Sequence, residues 1–321
     1  MTLYIGRRTP MYYFIVNPHS RSGKGMNIWN RLKERLDREE VSYEAYLTER
    51  PGHAVELAAM LTSPHHEDTD PKNIVVLGGD GTLNEVLNGL SMSAPVSLGY
   101  IPSGSGNDFS RGMKLPRNPE KALEFLLDSQ RIRTIDYGIL SYGKERPVHR
   151  RFIVSSGIGY DADVCQSLLS SRLKKLLNQL HIGKLVYLVI GIKRILLCKS
   201  ADGCLMLDGV KKVNLKRIRF ISSHIQKFEG GGFRFAPKAD PSDGYLDLCV
   251  VSGVSKLRLT VLLLASLVGR HTSCSGVRTY TCREASLHTE KPLFVHTDGE
   301  VLGKQTDIVV RCVEKKIKFM C

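Results

Sequence analysis

The chain carries eight cysteines but no Cys-x-x-Cys pair, the spacing on which structural zinc sites are commonly built. Zinc is therefore not expected. Cys165, Cys198, Cys204, Cys249, Cys274, Cys282, Cys312 and Cys321 read as reduced thiols of a cytosolic protein, several of them inside apolar runs. Long hydrophobic runs are also missing. Residues 185–197 are interrupted by Lys193 and Arg194. Residues 257–268 supply about a dozen apolar positions, where a spanning helix needs roughly 20. Both read as buried or interfacial helices. Residues 1–10 are polar and basic with no apolar segment behind them, so no signal peptide is expected. No stretch is repetitive, and no nucleic-acid motif is present. Acidic residues are outnumbered, 32 against 46 basic ones, which leaves a net charge of +14. The excess points to an anionic partner. Because the basic residues are dispersed, an anionic membrane face suits them better than nucleic acid; each would contribute on the order of 1 kcal/mol there.

What is present is an ordinary globular composition, 42% apolar and 24% charged, over 321 residues. That length fits two domains better than one core. The first part alternates strand and helix signals. Strands are expected at Tyr12–Val16, 41–47, 73–77 and 98–101. Helices are expected where Ile28, Leu32 and Leu36 recur, over 51–61 and over 119–127. This pattern predicts an α/β nucleotide-binding domain, three-layered with a mainly parallel sheet, over residues 10–137. From about residue 138 short alternating segments dominate: 134–140, 151–155, 204–207, 217–222, 246–251, 284–288 and 292–296. Helical patterns interrupt them at 164–180, 184–197 and 255–268. A β-rich sandwich domain is expected over 138–304, with residues 305–321 returning to the first domain.

Three glycine-rich loops follow strands of the first part. Gly78-Gly79-Asp80-Gly81-Thr82 lies between a strand and a helix start. There glycines let backbone approach an anion, and free N–H groups and the helix dipole favour phosphate. Thr82 adds a hydroxyl donor, and Asp80 a carboxylate suited to Mg²⁺. Residues 17–25 hold Asn, Ser, Arg and Lys around glycines without the Walker A spacing. Ser103 to Asp108 is a similar loop, and equally good capping chemistry. In an open α/β sheet such loops gather at one edge. Downstream, Asp298-Gly299-Glu300 reads either as a hairpin turn or as a general base at a strand end. Asp240-Pro241-Ser242-Asp243-Gly244 reads either as a solvated turn or as a hard-cation site. His53, His181, His224, His271, His288 and His296 show no metal spacing and read as surface or hydrogen-bonded core residues; His65 and His66 read as solvated.

Taken in order, these pieces resemble the diacylglycerol kinase catalytic-domain family, which is related to sphingosine and ceramide kinases. Asn17-Pro18, Ser20 to Gly25, Thr48, Gly52-His53-Ala54, Gly78 to Glu85, Pro102 to Phe109, Arg111, Gly230 to Gly232, Ala236-Pro237, Asp243-Gly244 and Asp298 to Glu300 carry the resemblance along nearly the whole chain. It implies an ATP site lined by Asn17, Pro18, His19, Ser20, Arg21, Thr48, Gly79, Asp80, Gly81, Thr82, Leu83, Asn84, Glu85 and Ser105. It makes Asp298 the base, with Glu300 near ATP and metal. Asp80 and Asp108 would join a water–Mg²⁺ network, and Asp243, with the carbonyls of Asp240 and Tyr245, would hold a structural Mg²⁺. The site would sit in an interdomain cleft. Members often carry Thr where Ser103 or Ser105 stands here; the Ser hydroxyl still donates. Acceptor-reading residues would lie around 164–197, which no motif covers.

The expected activity is ATP- and Mg²⁺-dependent phosphorylation of a membrane lipid, diacylglycerol giving phosphatidic acid, by a cytoplasmic protein peripheral to the inner membrane face. Sheet edges leave a homodimer open. The alternatives are an NAD kinase, which shares Gly-Gly-Asp-Gly-Thr, a sphingoid- or ceramide-type kinase, and a non-catalytic nucleotide- or lipid-binding regulator.

Overall fold

The computed structural model describes residues 10–63, 71–128, 131–143, 145–169 and 183–321. His65, His66 and His181, and the second half of the helix expected over 164–180, lie outside them. β1 (Tyr12–Val16) is an aromatic and β-branched run and is buried throughout. Its side chains alternate: Tyr13 and Ile15 enter one core, Phe14 and Val16 another. β2 (Tyr43–Leu47) and β3 (Lys72–Gly78) flank it in parallel, and β4 (Val96–Pro102) follows β3. Helices cover both faces. α2 (Gly25–Arg38), entered through the short α1 (Ser20–Gly23), buries Ile28, Trp29, Leu32 and Leu36 beside α6 (Pro119–Asp128). α3 (His53–Leu61) and α4 (Asp80–Gly89) cover the other face with Ala54, Leu57, Leu83 and Val86. Each fully buried Leu, Ile or Val stabilises by about 1.5–3 kcal/mol relative to exposure.

The remaining strands are β5 (Ile132–Tyr142), β6 (Val148–Phe152), β7 (Ser155–Gly159), β8 (Ala201–Leu207), β9 (Lys211–His224), β10 (Leu246–Ser252), β11 (Val277–Cys282), β12 (Glu284–Thr297) and β13 (Glu300–Met320). With one exception their pairings are antiparallel, and they enclose a core that includes Phe152, Ile158, Leu248 and Val295. The exception is β13. After pairing with β12 and β5 it reaches β4, with Lys318 opposite Ser97 in parallel register. Several elements differ from the sequence reading. The segment 151–155 spans the end of β6 and the start of β7, and β11 was not expected. The segments 284–288 and 292–296 are one strand, β12, whose register with β13 shifts between His288 and Leu293; Pro292 has no N–H to donate there. The helix expected from 164 starts earlier, as α7 (Tyr160–Leu169), directly at the end of β7. The final strand extends back from 315 to Glu300. Among the described residues no helix is long and apolar enough to cross a membrane.

Candidate active site

Parallel pairing puts the ends of β1, β3 and β4 along one edge, and backbone hydrogen bonds tie the loops that follow. Asn17 N–H donates to Leu77 O, Thr48 N–H to Val16 O and Ser103 N–H to Gly78 O, each at 2.8 Å. Side chains add to this: Asn17 Nδ2 donates to Thr82 Oγ1 at 2.9 Å, and the Ser20 and Ser103 hydroxyls meet at 2.7 Å. Gly79 and Gly104 touch backbone to backbone; a Cβ on Gly104 would lie 2.6 Å from Gly79 Cα. The second and third glycine loops can close on each other only because neither carries a side chain there.

A cavity of about 370 Å³ opens over these loops. Of the residues expected at the ATP, Asn17, His19, Ser20, Thr48, Gly79, Gly81, Thr82 and Glu85 line it, joined by Glu49, Arg50, Pro51 and Gly104. A second cavity, of about 390 Å³, adjoins it at Gly81 and is lined in part by Asp80, Ser105, Asp108, Asp298 and Glu300. Pro18, Arg21, Leu83 and Asn84 line neither. Leu83 is core, Arg21 is exposed, and Asn84 is buried behind Asp298.

Asp298 occupies the turn between β12 and β13 with φ 47°, and Gly299 follows at φ 87°. Its carboxylate is caged. Oδ2 accepts from Asn84 Nδ2 at 2.8 Å and Ile153 N–H at 2.9 Å; Oδ1 accepts from the N–H groups of Val154 and Ser155, both at 2.9 Å. Burial nevertheless pushes it up from 3.8 to about 6, against the pull of those four donors. Asp298 thus sits in a hairpin turn and also lines the second cavity. Glu300 pairs with Arg150 Nη2 at 2.7 Å, and burial raises its carboxyl as well.

Asp80 caps α5 (Asp108–Gly112), accepting from Asp108 N–H at 2.9 Å and Phe109 N–H at 3.2 Å. Asp108 accepts from Gly231 N–H at 2.7 Å and pairs with Arg111. Burial, then the charge of Asp80, moves the Asp108 carboxyl up to about 7; burial raises Asp80 too. Asp240, Asp243 and Tyr245 line neither cavity. Their turn folds on itself: Asp240 Oδ1 accepts from Ser242 N–H at 3.0 Å, and Asp243 Oδ1 from Tyr245 N–H at 3.0 Å. Asp136 secures the turn through Gly244 N–H at 2.8 Å.

One group escaped the sequence reading. Asp161, Glu229 and His296 converge, all buried, on the second cavity. His296 Nε2 lies 3.4 Å from Asp161 Oδ2 and 3.4 Å from Glu229 Oε1. Asp161 opens α7 behind Gly157-Ile158-Gly159, a strand–glycine–helix junction like the three singled out, and that was its available signal. Glu229 had none. Val154, Val164, Phe233, Phe235 and Leu263 give the wall its apolar part, with Ser155, Tyr160 and Cys165 beside them.

The model of the diacylglycerol kinase catalytic domain matches residues 11–140, and that of the YegS C-terminal NAD kinase beta sandwich-like domain matches residues 154–321. The chain belongs to the diacylglycerol kinase family. YtlR of Bacillus subtilis, which carries a lipid-kinase name, is 28% identical over 298 residues, covering 91% of this chain and 94% of its own. A diacylglycerol kinase of Mycobacterium tuberculosis is 28% identical over 229 residues, 71% of this chain and 70% of its own. The crystal structure of a diacylglycerol kinase from Bacillus anthracis shares the fold, with TM-score 0.68 at 18% identity over 97% of this chain and 96% of that one. The family's two-domain architecture, catalytic domain followed by a sandwich-like domain, is thus the architecture of this chain.

Proposed function

We propose that the protein is an ATP- and Mg²⁺-dependent lipid kinase that transfers the γ-phosphoryl group of ATP to a hydroxyl of a membrane lipid. Diacylglycerol, giving phosphatidic acid, is the acceptor toward which the relatives' names point. The observation that carries this reading is the pair of cavities meeting at Gly81: one walled by glycine backbone, hydroxyls and amides, the other by carboxyl groups together with apolar side chains. On this reading residues 10–137 with 305–321 hold the nucleotide, 138–304 hold the acceptor, and the cleft between them is the active site.

Asp298 takes the acceptor proton. Its four donors use the roughly four lone-pair sites of a carboxylate, so the hydroxyl must replace one of them; the Asn84 amide, as a side chain, is the donor able to turn away. Loop amides neutralise the phosphates. Asp80 and Asp108 fit a divalent cation, which would relieve the repulsion that raises Asp108, and Glu300 lines the same cavity. When bound, Mg²⁺ would neutralise phosphate charge there. A second cation would suit Asp243, whose carboxyl is raised by burial and by Asp240 and Asp136, with carbonyls of Asp240 and Tyr245.

A membrane acceptor also fits the outer surface. Helices Gly183–Leu197 and Lys256–Ser266 give Gly191 and Leu263 to the cavity, while Leu196, Leu197, Leu257, Val261 and Leu264 face outward and are 46–79% exposed. Lys193, Lys256, Arg258 and Arg270 are exposed among them. An apolar face set with cations suits an anionic bilayer.

The test is transfer of labelled phosphate from ATP to diacylglycerol in mixed micelles. Product on the lipid, and none on NAD, is expected. NADP formation would favour the nucleotide kinase, and tight ATP binding without transfer to any lipid alcohol would leave a regulator.

A further inference from the structure

The Asp161–Glu229–His296 cluster takes no part in the transfer as described, yet one of its members stands two residues before Asp298. The His296 ring is fully buried and bridges two parts of the site. On one side Nε2 lies 3.4 Å from Asp161 Oδ2 and 3.4 Å from Glu229 Oε1. Glu229 is backed in turn by His224, whose Nε2 is 3.6 Å from Glu229 Oε2. On the other side Nδ1 accepts from Gly299 N–H at 3.2 Å. The backbone under the ring is held as well, since Ser156 Oγ donates to His296 O at 2.9 Å. Gly157, opposite His296 in the pairing of β7 with β12, leaves the ring its room: a Cβ there would fall 1.7 Å from Asp161 Oδ2 and 2.7 Å from His296 Nε2.

These contacts fix the ring's proton. A nitrogen that accepts from a backbone N–H is bare, so the neutral ring carries its proton on Nε2, facing the two carboxyl groups. Burial raises the Asp161 carboxyl, whereas against burial His296 and His224 lower that of Glu229; Glu229 is therefore the anion that the Nε2 proton faces. Against burial, Cys165, Asp161 and Glu229 draw the ring toward its charged form. The Gly299 N–H opposes that change, because a second proton on Nδ1 would meet it head on. A protonated Nε2 also leaves His296 no bare nitrogen for a metal ion. The turn needs such a tie. Asp298 stands at φ 47°, a conformation that few residues with a side chain adopt. Its N–H donates to Ser155 O at 2.8 Å and holds the near side of the turn; the Gly299 bond to His296 holds the far side. Between them stands the carboxylate, whose four donors all lie outside the turn.

We propose that His296 is a positioning residue: its ring, oriented by Asp161 and Glu229, pins the Asp298–Gly299 turn through Nδ1 and so keeps the Asp298 carboxylate at the reacting hydroxyl. The inference rests on the lipid-kinase reading, in which Asp298 is the base. On this assignment the acidic pair serves by fixing which ring nitrogen carries the proton, and the bond that matters for turnover is the one from Gly299 N–H.

Asn and Gln separate the two ends of the ring, since an Asn amide oxygen reaches the place of Nδ1 and a Gln amide nitrogen that of Nε2. The experiment measures kcat and KM for ATP, with diacylglycerol in mixed micelles, for the wild type, His296→Asn and His296→Gln. His296→Gln is expected to lower kcat by about 10–10²-fold, the cost of a misplaced catalytic group, with KM for ATP unchanged. His296→Asn is expected to recover most of that loss. Equal loss in both variants assigns the ring a packing role and overturns the proposal, as does a wild-type kcat in His296→Gln. A second test needs no variant to fold: nitrogen NMR of the wild type with isotopically labelled histidine should show a neutral His296 ring protonated on Nε2, and the Gly299 amide should be protected from hydrogen exchange. A charged ring, a proton on Nδ1, or a transition metal that copurifies overturns it. If the wild type phosphorylates neither diacylglycerol nor another lipid alcohol, the kinase reading falls and this role with it; an active wild type with any of the contrary results above overturns this role alone.

Discussion

Asp298 works against its own surroundings: burial favours its neutral form, and four N–H donors favour its charged form. The proposed mechanism needs it ionised, and protonation at about 6 would remove it. The acid limb of the kcat/KM profile is therefore expected near that pH, with activity falling below it. Asn84→Ala removes a donor to the charged form, so its limb should move to higher pH; an unshifted limb would assign the titration to another group. Asp298→Ala should lower kcat by about 10²–10⁴-fold, the usual range for a lost general base, with ATP affinity retained by equilibrium binding. Gly104→Ala should act on the other cavity, because its methyl would enter the Gly79 backbone; a raised KM for ATP is the expected outcome. At this scale the sequence was uneven. Loops that follow strands could be placed together because strand ends share an edge. The meeting of Asp161, Glu229 and His296 depends on three separate elements and on antiparallel register, which spacing along the chain does not encode.

Among the elements, β1 could be read residue for residue because its aromatic and β-branched run has turn residues behind it. β13 could not, since its 21 residues alternate exposed and half-buried positions over two differently paired halves. The start of α7 was missed because the apolar pattern begins only at Val164, although Asp161 and Asp163 in its first turn are a helix-start signal. The helix Lys256–Ser266 read as buried or interfacial; Leu263 lines the cavity while Leu257, Val261 and Leu264 are exposed. Val261→Glu together with Leu257→Glu should reduce cosedimentation with anionic vesicles by tenfold or more, about 1.4 kcal/mol per tenfold, while ATP binding is unchanged. Loss of ATP binding in that variant would show damage to the fold instead.

At the scale of the molecule, the charge of +14 predicts that vesicle binding weakens as salt is raised, because the Debye length falls from about 10 Å at 0.1 M to about 3 Å at 1 M. Binding insensitive to salt would leave the apolar helices as the whole attachment. The alternation of strands and helices announced the parallel strands of the first part, and the run of short alternating segments announced the antiparallel strands of the second. The sequence reading returned residues 305–321 to the first domain, and the structure pairs Lys318 with Ser97; the register itself has no local signature.

That pairing has a practical consequence. The boundary near residue 140 invites an engineer to cut there and exchange one lobe for another. Residues 10–140 alone would leave β4 with an open flank, since the strand that covers it is β13, far along the sequence. A chimera must therefore take β13 from the parent of its front half, and during synthesis the first sheet stays incomplete until β13 has been made.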